Sequence, residues 1–471
     1  MEQLKKIGQL KPLHARDITH SKMGIGFEKL DRNVFDPTKA YDKIAALGIK
    51  WIRIQSGWAR TEKEKGVYDF EWLDSIVDAL IARGMVPWMC LCYGNGLYTP
   101  DGNRFFGAVG CVPNHSEEAL NAWLNYVKTL TARYRGKVVA YEVWNEPDGK
   151  WCWKNGPNGA EYGAFAAATA RAVRQGDESA EVYGGSVCMR DLLFTQEALA
   201  AGMAKEIDAL TFHEYTADET TLPERVSTLR ALCHGFNPRI EIIQGESGSQ
   251  SSSLGAGALR GGAWTQEKQA KQLLRHAVKD VQCGAKFTSY FTSVDMIEAL
   301  NGFTGDKASY LDYGYFGVLG ADFDEEGFSS GDYTPKKAYY ALQNLCALMA
   351  ETPEITTLPI LLNNAPSKRL LGETYRDLRF SSAAFIRPNG SAAFAYWHAS
   401  DLMTTAFEAS LSLQIAWDVS AMRLVDPMDG AVYTIADELI ERQGTGCVLV
   451  NELPVKDYPL FLTFGDFVSF K

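Results

Sequence analysis

Along the first 350 residues, short apolar runs alternate with longer stretches whose apolar positions recur at helical spacing. The runs are Met23–Phe27, Trp51–Ile54, Val86–Cys92, Val138–Trp144, Val182–Val187, Ala209–Tyr215, Ile240–Gln244 and Phe287–Thr292. Between them, Phe70–Arg83 puts Leu73, Ile76, Val77, Leu80 and Ile81 on one face, and Gly84 ends it. Ser116 caps a helix running to Tyr134, with Glu117 and Glu118 in its first turn and Gly136 as its stop. Tyr162–Arg174 and Gln266–Val281 follow the same pattern. Eight β-then-α units in sequence predict a (β/α)₈ TIM barrel of the α/β class, with a doubly wound sheet as the competing layout.

After about residue 351 the helical period fades. Turn signals such as Pro388-Asn389-Gly390 and Asp429-Gly430 separate β-rich runs, among them Ala392–Trp397, Leu411–Val419, Val432–Ile435 and Leu460–Phe464. The pattern predicts an antiparallel C-terminal β-sandwich. The chain thus divides into an N-terminal extension (1–22), a barrel (23–350) and a sandwich domain (351–471).

Composition narrows the function. The net charge of −11 is a poor match for nucleic acid, and no run of about 18 apolar residues exists to span a membrane. Nine irregularly spaced cysteines read as reduced thiols. No apolar run follows Lys5 and Lys6, so a cytoplasmic protein is expected, or a secreted one if a signal was removed. Association into a homo-oligomer is left open.

The candidate chemistry lies at strand ends, where barrel enzymes carry it. Strand four leads into Trp144-Asn145-Glu146-Pro147, and Pro147 is expected to keep Glu146 extended. Strand seven leads into Gly245-Glu246-Ser247-Gly248, with Gly245 leaving room for a ligand or a crossing backbone. Strand six supplies His213 and Tyr215 on one face, and strand two supplies Arg53. Two glutamates at one end of a barrel fit glycosidic-bond cleavage. One carboxylic acid protonates the departing oxygen, and one carboxylate attacks or supports the anomeric carbon.

These segments resemble the acid/base and nucleophile signatures of clan A of the retaining glycoside hydrolases. Gly26-Phe27-Glu28-Lys29-Leu30-Asp31-Arg32, Glu64-Lys65-Gly66-Val67-Tyr68-Asp69-Phe70 and Ser289-Tyr290-Phe291-Thr292-Ser293-Val294-Asp295 are similar to glycoside hydrolase family 39, the β-xylosidase and iduronidase family. The resemblance implies Glu146 as general acid and base and Glu246 as nucleophile. It also implies that Arg53 and Tyr215 keep Glu246 ionised, that Asn145 holds the sugar 2-hydroxyl, and that His213 stands near the acid or the sugar. Phe291 stands where many clan members carry a tryptophan under the reacting sugar.

Further candidates for sugar binding are Glu28, Asp295 and the loop residues Trp58, Tyr93, Asn95, Trp151, Trp153 and Trp264, several of them aromatic platforms for sugar C–H faces. Glu142 and Glu214 read as structural acids. The Ser/Gly-rich stretch Ser247–Gly262 reads as a loop over the active-site mouth, able to act as a lid. No metal-ligand spacing appears, so neither metal nor cofactor is expected. The expectation is a retaining glycoside hydrolase acting on β-linked oligosaccharides or polysaccharides, exo-acting and β-xylosidase- or β-glucosidase-like. An endo-β-glycanase with the same pair and a non-catalytic carbohydrate-binding protein are the alternatives.

Overall fold

The computed structural model of the protein describes residues 4–370, 373–375 and 379–471. Eight parallel strands close into a barrel: β1 (Met23–Gly26), β2 (Trp51–Gln55), β3 (Val86–Leu91), β4 (Ala140–Val143), β5 (Glu181–Val187), β6 (Ala209–His213), β7 (Glu241–Ser247) and β8 (Thr288–Tyr290). Their residues are almost all buried, because helices cover the outer face while side chains fill the inside. The main helices are α1 (Glu71–Ala82), α2 (Glu117–Arg133), α3 (Gly159–Gly176), α4 (Leu222–Phe236), α5 (Gln266–Gln282) and α6 (Lys337–Met349). Ser116 caps α2 by accepting from the backbone N–H of Ala119 at 3.1 Å, as its position predicts.

The barrel is apolar at one end and polar at the other. Trp88, Ala140, Tyr183, Ala209, Ile243 and Phe287 form a separate buried cluster, with Trp51 stacked on Phe287 at 4.6 Å. Above this cluster, the Arg53 guanidinium lies over the Trp88 ring at 5.5 Å, and Glu142 stands opposite Cys90 in the β3–β4 register. Charged side chains therefore sit above an apolar floor, which keeps water from reaching them from below.

The second domain is a sandwich of a seven-stranded and a five-stranded antiparallel sheet. Its larger sheet takes in the segment read from the sequence as an extension: Leu4–Gln9 pairs antiparallel with Ala431–Ile435. Helix α5 lies between barrel and sandwich, so its polar face is buried rather than solvated. Lys271 reaches Asp457 at 2.9 Å, and Arg275 reaches Glu219 at 2.6 Å. The indole of Trp397 donates to the same Glu219 at 2.8 Å. Among the described residues no helix is long and apolar enough to cross a membrane.

Candidate active site

Sheet irregularities aim the site residues. Phe212 pairs with Gln244, but the next residue, His213, pairs with Glu246, so the register skips Gly245. A Cβ on Gly245 would come within 3.3 Å of His213 Nε2, so the glycine makes room for this imidazole. A second skip between Gly185 and Val187 sets Ser186 against His213, its Oγ 3.0 Å from Nε2. Such bulges re-aim side chains at functional ends of sheets.

The end of β4 departs from the sequence-based expectation. The strand stops at Val143, and Glu146 is not extended: its φ is 42°, and that of Trp144 is 68°. Left-handed backbone at non-glycine residues costs about 1–3 kcal/mol each and persists only where the surroundings over-determine it. Here they do. The Trp144 indole donates to the Cys152 carbonyl at 2.6 Å, and Asn145 is held between Arg53 at 2.8 Å and the Tyr93 hydroxyl at 3.0 Å. The preference imposed by Pro147 yields to these contacts.

The two glutamates meet across one cleft. One ligand-type atom each from Glu146, His213 and Glu246 lie within 4.8 Å of one another. His213 Nδ1 is 3.0 Å from a Glu146 oxygen and 3.5 Å from a Glu246 oxygen. Glu146 also accepts from the Trp151 indole N–H. Glu246 accepts from Arg53, and from the Tyr215 hydroxyl at 2.7 Å. Arg53 is fully buried and also binds Glu28 at 3.1 Å and Glu142 through Nε at 2.9 Å. Glu142 takes a further bond from Thr211 at 2.6 Å, which satisfies it as an interior acid.

This arrangement splits the charge states of the carboxyls. Burial opposes charge on Glu246, but His213, Arg53 and the Tyr215 hydroxyl together outweigh it and hold the carboxyl below its ordinary range. Burial above all, helped by the charges of Glu246 and Glu142, pushes Glu28 up to about 7 against the pull of Arg53. For His213, burial favours the neutral ring. The Glu246 charge and the hydrogen bond with Glu146 override that and raise its pKa.

A cavity of about 490 Å³ opens onto this group. Glu28, Tyr93, Asn145, Glu146, Trp151, Tyr215, Glu246 and Phe291 of the sequence-derived candidates line it. Arg53 and His213 lie just behind, each at most 1% exposed.

Five candidates belong elsewhere. Trp58 is fully buried, stacked on Tyr98 at 5.3 Å with its indole N–H on Glu62. Asn95 shapes its own loop, donating to the Glu62 carbonyl at 2.7 Å and accepting from Leu97. Trp153 is fully buried against Trp144 and Tyr162. Asp295 forms a buried ion pair with Lys336 at 2.6 Å. In each case the large or charged side chain satisfied packing or pairing within the fold first. Trp264 lines a separate surface depression with Asp401 and Leu402. The Ser/Gly-rich loop does reach the cavity through Gly257, Ala258 and Arg260. It is strapped down by buried Gln250, which donates to the Ala256 carbonyl at 2.6 Å and accepts from the Tyr315 N–H at 2.9 Å.

Sequence reasoning passed over Lys29, Arg32, Gln55, Glu298 and Phe316, which also line the cavity. Gln55 was within reach, because it follows Arg53 by two on the same strand face. Lys29 pairs with Glu298, a contact across 269 positions that no local pattern signals.

Glu146, His213 and Glu246 form the metal-ligand-type cluster found among the described residues. The Arg53 guanidinium and the Tyr215 hydroxyl already occupy both oxygens of Glu246. A divalent cation there would have to displace Arg53 or share its field, so the donor set fits proton and glycosyl chemistry better than metal binding.

Residues 34–226 match the family described as Glycosyl hydrolases family 39. Among solved structures, the chain resembles a family 39 glycoside hydrolase from the gut symbiont Bacteroides cellulosilyticus, with TM-score 0.64 and 17% identity over 94% of this chain and 81% of that one. A family 39 enzyme from Xanthomonas axonopodis pv. citri gives TM-score 0.62 and 18% identity, over 97% and 95% of the two chains. A monomeric β-xylosidase from Caulobacter crescentus gives 0.61 and 17%, over 98% and 97%. At such identities the structural likeness is one of fold. No curated protein matches the chain. Barrel, sandwich and family match define a glycoside hydrolase of clan A type. Within that class, the chain is similar to family 39.

Proposed function

We propose that the protein is a retaining, exo-acting β-glycosidase that removes a terminal sugar by double displacement, with β-xylosides as the first substrates to test. The observation that carries the reading is the approach of Glu146 and Glu246 oxygens to within 4.8 Å. Carboxyls about 5–5.5 Å apart attack the sugar directly and retain configuration, whereas those about 6.5–9.5 Å apart leave room for a water and invert it.

In the first step the Glu246 carboxylate attacks the anomeric carbon and the glycosidic C–O bond breaks. The Glu146 proton goes to the departing oxygen. In the second step Glu146 takes a proton from water, whose oxygen displaces Glu246 and frees the sugar. Arg53 and Tyr215 hold the nucleophile ionised and oriented. Asn145, fixed by Arg53 and Tyr93, presents its amide to the sugar 2-hydroxyl. His213 keeps both carboxyls in register.

Exo action is supported by a cavity of about 490 Å³ whose wall includes the Lys29–Glu298 ion pair. The xyloside choice is supported by the family match and by the Caulobacter crescentus enzyme, a β-xylosidase. The test is proton NMR of the first sugar released from a panel of 4-nitrophenyl β-glycosides, with azide added to the Glu246→Ala enzyme. The β-anomer first, and an α-glycosyl azide from the variant, are expected. An α-anomer as first product refutes retention, and mid-sized oligomers from a polymeric xylan refute exo action.

A further inference from the structure

The wall beside Glu146 is made of Trp151, Cys188 and Met189, all lining the cavity. It is a fixed wall. Asp148, two residues beyond Glu146, accepts from the backbone N–H groups of Cys188 at 3.2 Å and Met189 at 2.7 Å. An acid that protonates the departing oxygen faces the leaving group, so this wall belongs to the leaving group's side. Tyr215 and Phe291, by contrast, gather at Glu246, their rings 6.1 Å apart.

The polar side chains of the segment are committed to structure. Arg190 donates to Glu214 through Nε at 3.0 Å, and Asp191 caps the next helix by accepting from the Leu193 N–H at 2.9 Å. The indole N–H of Trp151 is committed to Glu146. From Met189 to Leu193, the exposed polar side chains are the two so engaged, Arg190 and Asp191, and the other exposed ones are apolar: Met189 at 48%, Leu192 at 41% and Leu193 at 58%. A second sugar would rest a C–H face on the indole, but its hydroxyls would meet only a thioether and a thiol and go unanswered by this wall. An aromatic ring would bury apolar surface against the indole and the methionine sulfur.

We infer that the leaving-group side of the site accepts an aromatic or otherwise apolar alcohol in preference to a second sugar. The inference rests on the reading of Glu146 as the acid. It concerns the departing half of the substrate, which the catalytic pair does not determine.

The test adds alcohols to the wild-type enzyme turning over whichever 4-nitrophenyl glycoside it hydrolyses fastest. The concentration that halves free-sugar formation is read for 2-phenylethanol and for methyl α-D-glucopyranoside. A seated alcohol lowers that rate whether it diverts a covalent intermediate or only blocks the exit. 2-Phenylethanol should act at a concentration at least tenfold lower than the glucoside. Met189→Asp should raise the phenylethanol value at least fivefold, and Met189→Leu should keep it near wild type. Equal or lower values for the glucoside, or no response to Met189→Asp, overturn the inference. Methyl glycoside formation from added methanol reads the covalent intermediate separately. Its absence would sink the retaining reading, while the alcohol comparison would still decide the preference of the leaving-group side.

Discussion

Around Arg53, three carboxylates share one guanidinium, whereas in the seam between barrel and sandwich each cation has its own acid. Glu28, Glu142 and Glu246 all bind Arg53. In the seam Lys271 of the barrel pairs with Asp457 of the sandwich, and Arg275 with Glu219 on the barrel side. Both networks are buried, so both bear the cost of removing charge from water. The seam offsets it by balance: Lys271 also donates to the carbonyls of Met403 and Thr405, and Arg275 to that of Ser400. The group around Arg53 stays over-supplied with negative charge and opens onto a cavity. Balanced burial holds domains together; unbalanced burial drives two carboxyls on one guanidinium in opposite directions, Glu28 up and Glu246 down.

The largest expected effect separates the two networks by activity. Glu246→Gln keeps the shape and removes one of the competing charges. Its kcat/KM should fall by about 10⁴-fold or more, because the bond-forming atom is lost. Its thermal midpoint should equal or exceed that of wild type, since Arg53 retains two carboxylates. A midpoint well below wild type would erase the distinction.

Asp457→Ala is the converse. It strands Lys271 in the seam, and loss of one partner of a buried pair costs about 3–5 kcal/mol. Urea denaturation should show that loss, while the folded fraction keeps kcat/KM within about twofold, as expected for a change remote from the site. A large activity loss at full folding would mean that the seam takes part in the chemistry.

The smallest effect concerns Asp280 on α5, a third kind of buried acid. It takes a hydrogen bond from Thr288 at 2.7 Å, and burial pushes its carboxyl up to about 7. A folded-state pKa above that of the unfolded chain means that the folded protein holds the extra proton. The stability from this group is therefore full below about pH 4, the ordinary carboxyl range, and lost as pH rises through 7. Asp280→Asn should gain thermal stability relative to wild type between pH 5 and pH 8. A constant difference across that range would show that Asp280 does not titrate on folding.

The barrel was legible because β-then-α periodicity repeats eight times and each strand is buried on both faces. The placement of Glu146 and Glu246 at one mouth of the barrel was legible because each follows an apolar run that ends a strand. What local pattern missed was decided by distant partners. Trp58, Asn95, Trp153 and Asp295 have side chains suited to sugars, but Tyr98, Glu62, Trp144 and Lys336 claim them first. The bend that sets Glu146 overrides the local preference before Pro147. The strand Leu4–Gln9 finds its partner more than 400 positions away, beyond any window a period can sense.

The most direct measurement is intact and peptide mass spectrometry of the enzyme after reaction with a 2-deoxy-2-fluoro-β-glycoside bearing a good leaving group. The mass should rise by one fluorosugar, carried on the peptide that contains Glu246, with no such adduct on the Glu246→Gln protein. A label on another residue, or full turnover of the probe with inversion and no adduct, would contradict the assignment of Glu246 as nucleophile.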